Sequence, residues 1–208
     1  MKAILFDFNG TLSDDEPLLC ELYCTLFPQY GRPLTPQTYY GELAGLSEPE
    51  IVRTWLDRDE PALLDEFLRR YLDRARDGHT VHEHVRTAVR FAVGRAHLGV
   101  VSGALRPVVQ AVLGGAGIRE CFAAVVTAED VERGKPDPAG YLRALALLDV
   151  RAENAAAIED SPDGVTAAKA AGIYTVALLG TAAAGRLRHA DEIVTRLDSE
   201  LVERLLNR

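Results

Sequence analysis

Three acidic residues of this 208-residue sequence follow directly after short apolar runs. Asp7 follows the run 3–6, and the pair Glu159-Asp160 follows the run 155–158. A carboxylate can attack phosphorus as a nucleophile, and carboxylate oxygens are the ligands that Mg²⁺ prefers in proteins. These acids therefore indicate phosphoryl-transfer chemistry with a metal ion, provided that the fold brings them to one place.

A hydroxyl and a lysine are candidates for binding the phosphoryl oxygens. Ser102 follows the apolar run 98–101, and its hydroxyl and the amide of Gly103 form a donor pair of the kind that holds phosphates at strand-to-helix turns. Lys135, flanked by glycine and proline, supplies a positive charge ahead of a predicted helix. Phosphoryl transfer also needs protonation of the leaving group, for which these strand ends offer no candidate.

Five uninterrupted apolar runs predict the strands that position these residues. Such runs are typical of parallel strands covered by helices on both faces, and ligands of such sheets bind beyond the carboxyl ends of the strands. From residue 97 onward, the order strand, helix, strand, helix indicates an α/β fold. The five runs are 3–6, 98–101, 123–126, 155–158 and 175–179.

Two of the intervening helices carry signals at their ends. Asp137-Pro138 predicts a helix start, with the aspartate as N-cap residue and the proline in the first helical position. Ser161-Pro162 predicts a second start, and Gly172 predicts where that helix ends.

Residues 14–81 have helical rather than strand-like periodicity. The apolar residues between 18 and 26 and between 63 and 72 each mark one face of a helix, and shorter helical pieces are predicted near 36–43 and 48–56. We therefore expect a core of residues 1–13 and 82–208, with an all-helical insertion at 14–81 that covers the carboxyl edge of the sheet as a lid.

Composition argues against some classes of partner and location. The net charge of −8 and sequence pI of about 5.2 disfavour nucleic acid or an anionic membrane bound by bulk electrostatics. The longest apolar window, 96–118, is interrupted by Arg106-Pro107 and by glycines, so it does not predict a membrane span. The start of the chain leaves no room for a signal peptide, and three cysteines without metal-ligand spacing indicate a reducing compartment. We expect a cytoplasmic protein, and nothing in the sequence indicates its oligomeric state.

Four segments resemble, in order, the motifs of the haloacid dehalogenase superfamily. The similarity covers nearly the whole chain and is greatest to the branch with a helical cap that contains phosphoglycolate phosphatase and β-phosphoglucomutase. The segments are Asp7-Phe8-Asn9-Gly10-Thr11, then Ser102, then Gly134-Lys135-Pro136-Asp137-Pro138, and then residues 158–164 together with Ala170-Ala171-Gly172.

The resemblance implies a Rossmann-like, three-layer α/β/α core with an inserted cap, a Mg²⁺ cofactor, and a small-molecule phosphate substrate that forms a phosphoaspartate on Asp7. The implied catalytic residues are Asp7, Asn9, Ser102 and Lys135; the implied substrate contacts are Phe8, Asn9, Ser102, Gly103 and Lys135; and the implied metal ligands are Asp7, the main-chain carbonyl of Asn9 and Asp160, with Glu159 as a supporting carboxylate.

Asn9 departs from the family pattern, which resembles Asp-x-Asp-Gly-Thr. In the family, the second acid protonates the leaving oxygen and then activates the water that frees the enzyme. An amide has no ionisable proton to give and is a very poor base, and catalysis of this kind contributes roughly 10²–10⁴ in rate. We therefore expect slow turnover of alkyl phosphates, with acyl and aryl phosphates affected least.

The sequence leaves other functions open. The main alternative is a pseudo-enzyme that binds a phosphate ligand or a protein, which Asn9 favours but the intact nucleophile, lysine and acidic pair do not. A phosphomutase is less expected. Caps that resemble that of β-phosphoglucomutase carry a histidine near the position of Leu19 and an arginine near that of Glu48, and both are missing here, so the cap lacks the groups that would bind a second phosphate. Dehalogenases resemble Asp-x-Tyr in the first motif and need no metal, so the acidic pair argues against that chemistry.

Overall fold

A six-stranded parallel sheet forms the centre of the computed structural model, which describes residues 2–208. The strands are β1 Ala3–Phe6, β2 His97–Val101, β3 Ala124–Val126, β4 Ala155–Glu159, β5 Tyr174–Leu178 and β6 Glu192–Val194. Their order in the sheet is β3-β2-β1-β4-β5-β6, and all neighbours pair in parallel. The predicted α/β class is confirmed, and the five predicted runs form β1 to β5, whereas β6 was not predicted.

Helices cover both faces of the sheet. The α-helices are α1 Glu16–Leu26, α2 Pro36–Thr38, α3 Glu48–Leu56, α4 Pro61–Ala75, α5 Glu83–Ala92, α6 Arg106–Gly115, α7 Ala139–Leu148, α8 Pro162–Ala170 and α9 Ser199–Leu206, and a π-helical turn, Tyr39–Leu43, follows α2. Across residues 2–208, none of these helices combines the length and the apolar character that crossing a bilayer requires.

Strand β1 shows how the layers are built, because its side chains alternate between two cores. Ile4 and Phe6 pack with apolar residues of α5, α6 and α9 on one face. Ala3 and Leu5 pack with residues of α7 and α8, among them Tyr141, on the other. All four residues of β1 are buried, as expected for a central strand. The three-layer α/β/α architecture expected from the sequence is therefore present.

The predicted helix ends are nearly correct. Helix α8 begins after Ser161, whose hydroxyl accepts a hydrogen bond from the Gly164 amide at 3.0 Å, and Gly172 follows its end with φ 78°. Helix α7 begins one residue later than predicted, so that Pro138 rather than Asp137 takes the N-cap position. Asp137 Oδ1 still accepts a hydrogen bond from the Ala139 amide, at 3.0 Å.

Between β1 and α5 the described chain is helical, with no strand. Tyr23 of α1 stacks on Phe67 of α4 with 4.7 Å between ring centroids, which fixes these two helices against each other. The two ends of this segment are adjacent, since the Asp14 amide donates to the Thr80 carbonyl at 2.9 Å. On this basis we propose that residues 14–81 form a cap, inserted into a core of 1–13 and 82–208.

Candidate active site

Three acidic side chains meet at the carboxyl ends of β1 and β4. These strands are neighbours, with Phe6 opposite Ile158, and the Asp7 amide continues the pairing by donating to the Ile158 carbonyl at 3.0 Å. The residues that follow the two strands therefore lie side by side. Carboxylate oxygens of Asp7, Glu159 and Asp160 all lie within 4.8 Å of one another, and all three residues are buried.

Lys135 reaches this group from the loop between β3 and α7. Its ammonium nitrogen lies 2.5 Å from Asp7 Oδ1 and 2.6 Å from Glu159 Oε1. Burial alone would lower the pKa of Lys135, but the charges of Asp7 and Glu159 outweigh that effect and raise it. The lysine is therefore a fixed cation beside the expected nucleophile.

Glu159 is held by groups on the side of Lys135. The Tyr141 hydroxyl donates to Glu159 Oε1 at 2.5 Å, and the Ser161 hydroxyl donates to Oε2 at 3.4 Å. Helix α8 approaches so closely that a Cβ atom on Gly164 would lie 1.9 Å from Glu159 Oε2. Both carboxylate oxygens thus have partners in the protein, and this geometry favours positioning Lys135 over direct metal ligation.

Asp160 is held by the turn that follows β1. The Thr11 hydroxyl donates to Asp160 Oδ1 at 3.3 Å. Gly10 has φ 73°, and a Cβ atom at this position would lie 2.0 Å from Asp160 Oδ2. The glycine is required twice, for its backbone conformation and for the close approach of the carboxylate.

The acidic group fits a divalent cation. Burial, and then the negative charges of Asp7 and Glu159, raise the pKa of Asp160 well above its usual range. A cation at this position would offset that repulsion, and carboxylate oxygens suit Mg²⁺. Within residues 2–208 no second group of three or more candidate ligands has metal-binding spacing.

Asn9 has a partner that the sequence did not reveal. Its amide nitrogen donates to Asp15 Oδ2 at 2.9 Å, and the Tyr71 hydroxyl donates to the same oxygen. Asp15 is buried, and burial raises its pKa to about 6 despite these hydrogen bonds. The acid that contacts the Asn9 side chain is therefore Asp15, just before α1.

The expected phosphate-binding residues Ser102, Gly103 and Lys135 line one pocket. Ser102 is buried at the end of β2, and its oxygen accepts a hydrogen bond from the Ala104 amide at 3.0 Å, so its own proton is available to a ligand. Gly103 and Lys135 also line a cleft with Asp7 and Asp160. The Phe8 side chain is fully buried in the core, so any substrate contact by Phe8 would come from its main chain.

A cleft lined by Asp7, Asn9, Gly103, Lys135 and Asp160 joins the core to the insertion. The two parts touch at the turn that follows β2, where a Cβ on Gly103 would lie 3.3 Å from Ser47 Cβ. The insertion contributes Glu16, Leu19, Tyr23, Tyr39, Gly45, Leu46, Glu48 and Ile51 to the cleft lining. None of these was predicted as a site residue, because no local pattern shows which face of the insertion meets the core.

Comparison with known proteins places these observations in a family. The family model for haloacid dehalogenase-like hydrolases matches residues 1–172. The validoxylamine A 7′-phosphate phosphatase of Streptomyces hygroscopicus subsp. limoneus is 32% identical over 200 residues, covering 94% of each chain. The phosphorylated carbohydrates phosphatase of Thermotoga maritima is 31% identical over 182 residues, covering 85% of this chain and 84% of that protein.

A solved structure shares the whole architecture. The crystal structure of CbbY from Rhodobacter sphaeroides in complex with phosphate superposes with a TM-score of 0.86 and is 25% identical in sequence. The match covers 97% of this chain and 96% of that chain, so it includes the helical insertion as well as the sheet.

Proposed function

This chain belongs to the haloacid dehalogenase-like hydrolases, and on that premise we propose that it is a phosphatase of small phosphorylated molecules with Asp7 as its nucleophile. The observation that carries the proposal is the contact of Asp7 with Lys135 at 2.5 Å, beside Asp160 at the base of the cleft. Two similar proteins are named as phosphatases of validoxylamine A 7′-phosphate and of phosphorylated carbohydrates, which supports a carbohydrate-like leaving group.

The reaction has two displacements at phosphorus. In the first, an Asp7 carboxylate oxygen bonds to phosphorus while the bond from phosphorus to the leaving oxygen breaks, which leaves a phosphoaspartate. In the second, a water oxygen bonds to phosphorus while the bond from phosphorus to the Asp7 oxygen breaks, and the water's proton passes to solvent as phosphate is released. Lys135, the Ser102 hydroxyl and the Gly103 amide bind the non-bridging oxygens in both steps, so that charge developing there meets fixed donors.

Asp7, the Asn9 carbonyl and Asp160 would hold Mg²⁺. When bound, the ion supplies positive charge that offsets the phosphoryl oxygens next to a carboxylate nucleophile. We assign Glu159 to Lys135 rather than to the metal, because Lys135, Tyr141 and Ser161 engage both of its oxygens.

Asn9 orients groups without transferring protons. The leaving oxygen must therefore depart with little protonation, which suits acyl and aryl phosphates and slows alkyl phosphates. This substitution is also what favours the second candidate, a low-turnover protein that binds a phosphate ligand or a protein partner. The net charge of −8 supports a small-molecule rather than a nucleic-acid partner, and we place the protein in the cytoplasm.

Incubation with acetyl phosphate or p-nitrophenyl phosphate, with and without Mg²⁺, tests the proposal. Phosphate release and the intact mass of the protein are followed together. We expect Mg²⁺-dependent turnover through a phosphoryl adduct that Asp7→Asn abolishes and Asp65→Asn, an exposed aspartate of α4, leaves unchanged. A stable adduct with little turnover would place the block at the second displacement. Absence of both adduct and turnover would favour the binding protein.

A further inference from the structure

Two buried glutamates line the cleft and have no part in the proposed phosphoryl transfer. Glu16 and Glu48 are the first residues of α1 and α3, and they are 8% and 4% exposed. Both face the space that a leaving group would occupy, because the same cleft contains Asp7 and Lys135. A buried carboxylate is rare unless it is paired, so their partners decide what they do.

Glu48 lacks a hydrogen-bond partner among the described residues 2–208. Neither of its carboxylate oxygens has a hydrogen bond, although both are buried. The main-chain amides of Glu48 and Leu105 are close enough to favour the charged form slightly, but burial dominates and raises the pKa to about 8. A buried acceptor pair of this kind needs donors, and the described protein supplies none with hydrogen-bond geometry.

Two residues near Glu48, Tyr23 and Glu16, also have buried polar atoms with few or no hydrogen-bond partners. Tyr23 lines the cleft, and its hydroxyl is also buried without a hydrogen-bond partner among the described residues. Burial, and then the charges of Glu48 and Glu16, raise the pKa of Tyr23, which places this hydroxyl near both acids. Glu16 accepts one hydrogen bond, from the Tyr39 hydroxyl at 2.9 Å. Three neighbouring side chains thus present acceptor atoms to one part of the cleft.

The charge balance of the cleft favours a cation as the missing donor. Its described lining holds four carboxylates, Asp7, Glu16, Glu48 and Asp160, and one basic residue, Lys135, which Asp7 and Glu159 already engage. Mg²⁺ would offset Asp7 and Asp160, but a bound phosphate adds further negative charge, so Glu16 and Glu48 have no cation beside them within the described lining. A second anionic group on the substrate would meet Glu48 directly, whereas an ammonium group would offset the acids and donate up to three hydrogen bonds.

We propose that the leaving group of the substrate carries a protonated amine, bound by Glu48 with Glu16 and Tyr23 as further partners. The substrate class is then an aminoalkyl or amino-sugar phosphate, and this assignment rests on the phosphatase function proposed above. Glu48 selects the substrate by its charge and takes no part in the displacement at phosphorus.

Binding of non-hydrolysable phosphonates tests this assignment without requiring turnover. Calorimetry in the presence of Mg²⁺ compares 2-aminoethyl- and 3-aminopropylphosphonate with hydroxyl and carboxyl analogues of the same length. We expect the better amine to bind about tenfold more tightly than its hydroxyl analogue, and the carboxyl analogue to bind most weakly. Glu48→Gln should reduce the preference for amine over hydroxyl to about twofold or less. Glu42→Gln, an exposed residue of the insertion, should leave it unchanged.

Two results would overturn the assignment. One is equal binding of amine and hydroxyl analogues by the wild-type protein. The other is an amine preference that survives in both Glu48→Gln and Glu16→Gln, each shown to be folded by thermal melting. Turnover of p-nitrophenyl phosphate without amine preference would remove this inference alone. Amine preference without Mg²⁺-dependent turnover would instead leave amine recognition in place and remove the phosphatase proposal.

Discussion

Asn9 points its amide nitrogen at Asp15, because a carboxylate accepts hydrogen bonds and cannot donate them. The amide oxygen of Asn9 is then the atom left for the cleft that Asn9 lines. That oxygen can hold a water or a hydroxyl by accepting a hydrogen bond, but it cannot take the proton. The candidate site therefore has a fixed hydrogen-bond acceptor, the Asn9 oxygen, at the position where the proposed reaction would use a proton donor.

Replacing Asn9 by aspartate should restore proton transfer to the leaving group. We expect Asn9→Asp to raise kcat for glucose 6-phosphate by roughly 10²–10⁴, and to raise kcat for p-nitrophenyl phosphate much less, because that leaving group needs no proton. Steady-state kinetics on both substrates measures the difference. Mass spectrometry of the N-terminal peptide is the control, since deamidation at Asn9-Gly10 would add activity to the wild type. An unchanged rate on the sugar phosphate would contradict this role of position 9.

Asp15 should also change the pKa of an acid placed at position 9. Asn9→Asp alone sets two carboxylates side by side, and such a pair resists full ionisation. The exchanged pair, Asn9→Asp with Asp15→Asn, keeps the hydrogen bond and reverses its direction. We expect the acidic limb of the pH profile of kcat to lie about one pH unit higher in the single variant than in the exchanged pair. Coincident profiles would show that Asp15 does not act on position 9.

The elements of the core could be predicted because their signals are local. The apolar runs 3–6 and 155–158 form β1 and most of β4, which the structure buries completely, and the acidic residues of the candidate site stand at the ends of these strands. Strand β6 has three residues, lies at the edge of the sheet and is partly exposed, so it has no comparable run. Asp7, Ser102, Lys135 and Asp160 could be predicted as site residues because they follow strands or lie in a marked loop.

The site residues of the insertion could not be predicted in the same way. Glu16 and Glu48 begin helices, where acidic residues are common for reasons of helix stability alone. What makes them site residues is the position of the insertion over the sheet edge, which depends on long-range packing. The hydrogen bond from the Tyr141 hydroxyl to Glu159 likewise depends on the approach of α7 to β4.

Helix α8 provides a test of how elements position the site. A Cβ on Gly164 would lie 1.9 Å from Glu159 Oε2, so Gly164→Ala must displace Glu159 and with it Lys135. We expect the variant to lose ~1–3 kcal/mol of unfolding free energy and about tenfold or more in kcat/KM for p-nitrophenyl phosphate, since the displaced lysine no longer meets the phosphoryl oxygens. Urea denaturation and steady-state kinetics measure these changes.

Gly114→Ala in α6 is the matched control for this substitution. Nothing lies within 4 Å of a Cβ at Gly114, and alanine is favoured over glycine in a helix by ~0.5–1 kcal/mol. We expect Gly114→Ala to be as stable as the wild type or more so, with unchanged kinetics. Wild-type activity in Gly164→Ala would mean that Glu159 does not position Lys135.

For the molecule as a whole, the cleft contains buried acids whose ionisation lowers the stability of the folded protein unless a ligand compensates their charge. Burial raises the pKa of Asp15, Glu16 and Glu48 to about 6, 7 and 8, so each charged form is disfavoured in the folded protein. In the unfolded chain the same groups are solvated and ionise near their usual values. The protein without ligand should therefore lose stability as these acids ionise, which is a cost of keeping acceptors ready for a substrate.

The effect of Glu48 on the free energy of unfolding can be isolated by measuring how that free energy changes with pH. Its pKa is about 8 in the folded protein against 4.5 ordinarily, so the folded state binds more protons between these values, and the free energy of unfolding falls as pH rises through that window. Glu48→Gln cannot ionise. We expect it to match the wild type at pH 5 and to be more stable by at least ~1 kcal/mol at pH 9, since one pKa unit corresponds to ~1.4 kcal/mol. Urea denaturation at pH 5 and pH 9 measures this difference in stability, with Glu42→Gln following the wild type.

Parallel pH curves for wild type and Glu48→Gln would mean that Glu48 is solvated or paired. A stability difference at pH 9 that 2-aminoethylphosphonate abolishes would instead link the unpartnered acid to the ligand it binds.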